Sequence, residues 1–124
     1  MSLRTKIIKR KEYLVANFAG QGTLDEISRQ FSGLAEQCRV AKLNKLLINI
    51  TALKGTLTFA ARFQAGERAV TFLTDRIKVA VVGTTEQKDP GLLGELVARN
   101  RGVNVRVFTD LAEAKRWLLE KVQP

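Results

Sequence analysis

The sequence lacks the residues on which most enzyme and metal chemistry depends. It contains no histidine and a single cysteine, Cys38. Without histidine there is no Ser-His or Cys-His pair to activate a nucleophile, and the commonest transition-metal ligand is missing. We therefore predict that the protein is not an enzyme and that it binds no metal and no cofactor. Catalysis by carboxylates or lysine stays open as an alternative, although no residue spacing favours it.

Two features resemble reactive motifs but have simpler structural interpretations. Cys38 follows Leu34 by four residues on an apolar helical stripe, which favours a buried thiol over a reactive one. Gly20-Gln21-Gly22 follows a predicted strand and precedes a predicted helix, the context of a phosphate-binding loop. It lacks the third glycine and the Gly-Lys-Ser/Thr ending of such loops, so a plain turn is favoured.

The chain is strongly basic, with 21 Lys and Arg against 12 Asp and Glu. Such a charge attracts anions, although scattered basic residues serve solubility equally well. The one dense run, at residues 4–11, predicts peripheral contact with acidic membrane surfaces. The aromatic residues fall mostly on apolar faces, so we do not expect a nucleic-acid partner. The candidate anion contacts are Lys9, Arg10, Lys11, Arg99 and Arg101.

The length of 124 residues and the apolar content of 45% predict one folded domain over residues 1–124. No apolar run approaches the length of a membrane-spanning helix, and a lone cysteine is typical of a reducing compartment. We therefore expect a cytoplasmic protein. A homodimer is also expected, because symmetric dimers are common among small domains.

Apolar periodicity predicts strands and helices that alternate. Strands are predicted over residues 5–9, 13–18, 45–50, 76–82 and 103–108. Helices are predicted from Thr23, over residues 58–71, from Asp89 to Gly102, and from Asp110. Capping boxes begin the first and last of these helices, with Glu26 and Glu113 as the reciprocal partners. The order ββαβαβαβα predicts an α/β fold with a single mixed sheet, in which an antiparallel N-terminal hairpin precedes parallel strands.

The order and several residue groups resemble the STAS domain, and in particular its SpoIIAA-like branch. In the C-terminal half these groups are ELVARNRG at 95–102, VRVF at 105–108, EA at 113–114 and WL at 117–118. Upstream they are YLV at 13–15, Phe18, Gly20, Thr23 and LLIN at 46–49. The resemblance covers nearly the whole chain. It implies a mixed-sheet domain with four helices that acts by docking to a partner.

In anti-sigma-factor antagonists of this type, a phosphorylatable Ser or Thr lies in an Asp-Ser/Thr-Gly setting after the strand that corresponds to residues 45–50. The segment here is ITALKGTLT at 50–58, which lacks that pattern and has Lys54 where an acid is expected. Thr56 and Thr58 occupy the analogous place and are the candidate phosphorylation sites. The same branch is similar in pattern to a group of lipid-binding domains, which keeps an apolar ligand open.

We predict that binding centres on the polar loop and helix at residues 51–63. This segment follows the carboxyl end of a strand, where open α/β sheets bind their ligands. The spacing of Phe59 and Phe63 favours core packing, but both are also candidates for lining an apolar pocket. The candidate binding residues are Thr51, Lys54, Thr56, Thr58, Phe59 and Phe63. The predicted partner is a protein or a small apolar or anionic ligand, with an acidic membrane surface as the alternative.

Overall fold

The computed structural model describes residues 3–54, 68, 76–85 and 104–120. The strands in these ranges are β1 (Arg4–Lys9), β2 (Leu14–Gly20), β3 (Lys45–Leu53), β4 (Lys78–Val82) and β5 (Asn104–Phe108). The helices are α1 (Leu24–Ala41) and α2 (Leu111–Leu119). The predicted helices at 58–71 and 89–102 lie outside the described residues, except for Arg68, which is helical.

The five strands form one sheet in the order β1-β2-β3-β4-β5. β1 pairs with β2 antiparallel, and the remaining neighbours pair parallel. The hairpin between β1 and β2 is closed by the backbone N–H of Arg10, which donates to the carbonyl of Tyr13 at 2.9 Å. The predicted single mixed sheet is therefore confirmed.

The end of β3 differs from the sequence-based expectation. Residues from Thr51 onward were predicted to form a polar loop, but β3 continues to Leu53. The reason is pairing with β2, where Ala52 lies beside Ala19 and Leu53 beside Gly20 after a shift in register. Backbone pairing with a neighbouring strand therefore carries the strand through Ala52, a residue type that is depleted in strands.

Apolar side chains of β3 point to both faces of the sheet. Leu46 and Ile48 pack in the core cluster that contains α1, and Leu47 packs in the cluster that contains α2. All three are almost completely buried. The predicted central strand, covered on both faces, is confirmed.

The predicted starts of the first and last helices are also present. In α1 the Thr23 hydroxyl accepts from the N–H of Glu26 at 3.1 Å, and the Glu26 carboxylate accepts from the N–H of Thr23 at 3.0 Å. Hydrogen bonding to the Glu26 carboxylate from the Thr23 backbone N–H, and secondly from the Thr23 side chain, lowers the pKa of Glu26. Asp110 caps α2 by accepting from the N–H groups of Ala112 and Glu113. Among the hydrogen bonds of the described residues, the reciprocal bond predicted from the Glu113 side chain does not occur.

The predicted apolar stripe forms the buried face of α1, with Ile27, Phe31, Leu34 and Cys38 in one core cluster. The helix ends at Lys42, whose φ of 58° lies in the left-handed region. The N–H of Lys42 donates to Arg39 O, and the N–H of Leu43 donates to Cys38 O. Side chains with a Cβ are strained in this conformation, and glycine is the usual residue there.

We predict that Lys42→Gly stabilises the protein by about 0.5–1 kcal/mol. Relief of the left-handed strain exceeds the additional entropy that glycine has in the unfolded chain. The measurement is the urea midpoint of unfolding. Lys42→Ala is the matched control, since it removes the same charge and keeps the Cβ. A midpoint for the glycine variant at or below that of the alanine variant would contradict the prediction.

We also predict that the thiol of Cys38 is inert in the native protein. Only 1% of this residue is exposed, and burial raises the pKa of its thiol. Thiolate is the reactive species, so both effects slow alkylation. The rate of labelling by a thiol reagent at mildly alkaline pH should increase by orders of magnitude in denaturant. Equal rates in the native and denatured protein would show that the thiol is accessible.

Candidate functional site

The carboxyl ends of the four parallel strands meet at one side of the sheet, which we call the carboxyl edge. In the described ranges it comprises the segments that follow β2, β3, β4 and β5. Both α1 and α2 also begin at this edge, with Thr23 and Asp110 as their caps. The fold therefore brings strand ends and helix starts together at this edge.

The end of β3 extends further along this edge than its neighbour β4. Pairing with β4 ends where Asn49 lies beside Val82, whereas pairing with β2 continues to Leu53. The backbone N–H of Lys54 donates to the carbonyl of Gly20 at 2.8 Å and fastens the strand end to β2. Of the predicted binding residues, Thr51 and Lys54 lie on this projecting end, and both are exposed.

Asn49, which was not among the predicted binding residues, holds Thr51 in position. The side-chain oxygen of Asn49 accepts from the Thr51 backbone N–H at 3.0 Å and from the Thr51 hydroxyl at 2.7 Å. Asn49 lies beside Asn17 of β2 in the sheet register, and both are partly buried. An amide in an otherwise apolar strand was the available signal, because such a residue needs a local hydrogen-bond partner.

A long-range ion pair joins the helical residue Arg68 to the start of α1. Its guanidinium lies 2.6 Å from the carboxylate of Asp25 and 3.3 Å from the hydroxyl of Ser28. The two charged residues are 43 positions apart, and no local pattern in the sequence links them. The pair places Arg68 near the carboxyl edge.

Four of the predicted binding residues have no described position. Thr56, Thr58, Phe59 and Phe63 lie outside the described residues. The same holds for the candidate anion contacts Arg99 and Arg101. Their roles stay predictions.

The basic run at residues 4–11 does not form one patch, contrary to its appearance in the sequence. Because β1 is extended, Arg4 and Lys9 are separated by about 17 Å along the strand. Arg4 pairs with Ala19 toward the carboxyl edge, and Lys9 pairs with Leu14 at the opposite end. Lys9, Arg10 and Lys11 are exposed, but they lie away from the projecting end of β3.

In the part of the chain that the structure describes, no group of three or more His, Cys, Asp or Glu is arranged to hold a metal ion. No helix among the described residues is long and apolar enough to cross a membrane.

Neither a family model nor a curated protein matches the sequence, but solved structures match the fold. The chain is similar to an anti-sigma factor antagonist from Mycobacterium paratuberculosis, with a TM-score of 0.67 and 11% identity over 95% of each chain. It is also similar to an uncharacterized protein of the DUF3478 family with a SpoIIAA-like fold from Shewanella loihica PV-4. In that case the TM-score is 0.59, with 23% identity over 94% of this chain and 93% of the other. The fold is therefore SpoIIAA-like, which confirms the fold that the resemblance implied.

We predict that Asn49→Ala loosens the projecting end of β3. The variant removes the acceptor for the Thr51 N–H, and one hydrogen bond contributes about 0.5–1.5 kcal/mol. Amide exchange at Thr51, measured by NMR, should therefore accelerate by about two- to tenfold. The matched control is Asn17→Ala, which removes the neighbouring asparagine but leaves the acceptor in place. Equal acceleration in both variants would show that Asn49 does not hold Thr51.

Proposed function

We propose that this chain is a non-catalytic regulatory module that docks a partner protein at its carboxyl edge. The observation that carries the proposal is the projecting end of β3. Thr51, Ala52 and Lys54 are exposed there, yet hydrogen bonds to Asn49 and Gly20 hold the segment in place. A surface that is ordered before binding loses little conformational entropy when a partner docks.

The fold supports a docking role rather than catalysis. One of the similar structures is an anti-sigma factor antagonist, and we extend the idea of a regulatory protein partner from that neighbour to this chain. The absence of histidine from the sequence favours the same choice. Phe59 and Phe63 would add apolar contact area to the polar end of β3.

A small apolar or anionic ligand at the same edge is the alternative occupant. The exposed ammonium of Lys54 suits an anion, and the two phenylalanines suit an apolar molecule. Location in the cytoplasm and assembly as a homodimer stay predictions.

Phosphorylation of Thr56 or Thr58 is the form of regulation that we propose for this surface. A phosphate adds a charge of about −1.5 to −2. Added two or four residues after Lys54, it would change the charge at the projecting end of β3 from positive to negative. A partner that recognises the unmodified surface would then be released.

The test of the docking proposal is affinity capture from an extract of the source cells, quantified by mass spectrometry. Lys54→Glu should lose at least one protein that the wild type retains, because it reverses the charge at the projecting end. Lys115→Glu is the matched control, since it makes the same charge change at an exposed position of α2. A combined Thr56→Ala, Thr58→Ala and Phe59→Ala variant extends the test to the following segment.

Two results would contradict the proposal. In the first, every variant retains the same proteins as the wild type. In the second, Lys115→Glu loses the same proteins as Lys54→Glu, which would trace the capture to overall charge. Co-purification of a small molecule, released on denaturation and identified by mass spectrometry, would favour the alternative occupant.

A further inference from the structure

We propose that the amino edge of the sheet, opposite the carboxyl edge, is an electrostatic contact surface for membranes that contain anionic phospholipid. The contact is made by basic residues from four separate parts of the chain, which we call the basic rim. The rim consists of Lys9, Arg10, Lys11, Lys42, Lys45 and Lys78. It lies at a different end of the fold from the docking surface and does not depend on the proposed function.

The register between the strands brings the rim residues close together. Lys45 and Lys78 begin β3 and β4 and lie directly beside each other. Leu14, which begins β2, lies beside the next residue of β3, Leu46. Lys9 pairs with Leu14 across the hairpin. Residues that are far apart in the sequence therefore occupy adjacent strand ends, which are separated by about 5 Å per strand.

The turn of the hairpin and the end of α1 complete the rim. Arg10 and Lys11 lie in the turn between β1 and β2 and are exposed. Lys42 ends α1 three residues before β3 begins, and it is also exposed. The C-terminus of a helix carries partial negative charge, so a cation is favourable at this position.

The charge of the rim is only partly compensated by the described residues around it. The acidic residues at these strand ends and turns are Glu12 in the hairpin and Glu120 after α2. The Lys78 ammonium donates to the backbone carbonyl of Trp117 and lies 4.4 Å from the centre of its indole ring. These two contacts hold the Lys78 side chain against α2. The more exposed members of the rim therefore make the contact with the membrane.

The composition of the surface favours a membrane over a nucleic acid. Five of the six rim residues are lysine, which acts as a point charge and lacks the fork geometry that arginine uses for directional recognition. Val40, two residues from Lys42 at the end of α1, is 66% exposed, and an exposed apolar side chain among cations suits the lipid interface. Single-stranded nucleic acids bind instead to exposed aromatic rings, whereas Tyr13 and Trp117 near this edge are partly buried.

Contact through the basic rim would orient the protein on the membrane in a way that is compatible with partner docking. A membrane in contact with the amino edge leaves the carboxyl edge facing away from the lipid. The projecting end of β3 then stays accessible to a partner. The two surfaces are consequently separable by mutation.

The test is co-sedimentation of the full chain with vesicles of phosphatidylcholine alone and with vesicles in which about one third of the lipid is phosphatidylserine. The wild type should bind the anionic vesicles and not the neutral ones, and binding should fall steeply as salt is raised. The variant Lys11→Glu/Lys42→Glu should lower the partition coefficient by tenfold or more. Each basic residue near an anionic membrane surface raises the partition coefficient by about fivefold. Replacing it by glutamate also introduces repulsion between the carboxylate and the anionic lipid.

The matched control is Arg4→Glu/Lys6→Glu, which makes the same change in net charge on β1, toward the other edge. It should retain most of the binding. If the control loses as much as the rim variant, overall charge is responsible and the proposal is wrong. Circular dichroism and the urea midpoint establish that both variants are folded; if the rim variant is unfolded, Lys11→Gln/Lys42→Gln replaces it with the same expected direction.

Two further outcomes would overturn the proposal. One is equal binding to neutral and anionic vesicles. The other is binding to a random-sequence DNA duplex or single strand at lower protein concentration than to anionic vesicles in the same salt. That result would assign the rim to nucleic acid.

Discussion

The burial of β3 on both faces is the constraint on which the rest of the structure depends. Leu46 and Ile48 require a cover on one side, and Leu47 requires a cover on the other. Because residues 46–48 have no solvent-facing side, this part of the strand cannot present polar groups to a partner. Polar and charged residues are consequently placed at its two ends, and both surfaces proposed for binding are strand ends.

Because β2 to β5 are parallel, the two edges of the sheet at which the strands begin and end are different. α1 and α2 both run against the strands, so their N-termini lie at one edge of the sheet and their C-termini approach the other. Acidic residues begin the helices, with Asp25 and Glu26 in α1 and Glu113 in α2. Lysines gather where α1 ends and where β3 and β4 begin. The placement of these acidic and basic residues matches the dipoles of the helices.

Local patterns predicted the parts of this fold that local interactions determine. The capping box at Thr23 and the apolar stripe that includes Cys38 were both identified correctly, because each depends on residues within a few turns of one helix. The extension of β3 to Leu53 was missed because it depends on Gly20 of another strand. The basic residues looked scattered for the same reason, since only the register between strands shows that Lys45 and Lys78 are neighbours.

The candidate site was predictable to a similar degree. Its location at the carboxyl ends of the strands follows from the alternation of strands and helices, and Thr51 and Lys54 lie at that edge, although Thr51 belongs to β3 and not to the predicted loop. Asn49, which holds Thr51, was not identified: an amide in an apolar strand shows that a hydrogen-bond partner is needed, but the sequence does not show which partner it takes. The ion pair between Arg68 and Asp25 joins segments whose packing no periodicity reveals.

Trp117 gives the molecule an optical property that is independent of its partners. It is the single tryptophan of the chain, and its ring lies 5.6 Å from that of Phe108 and beneath the ammonium of Lys78. The environment of its indole therefore depends on the packing of α2 against the sheet. The intrinsic fluorescence of Trp117 therefore reports whether α2 remains packed against the sheet, and no attached label is needed.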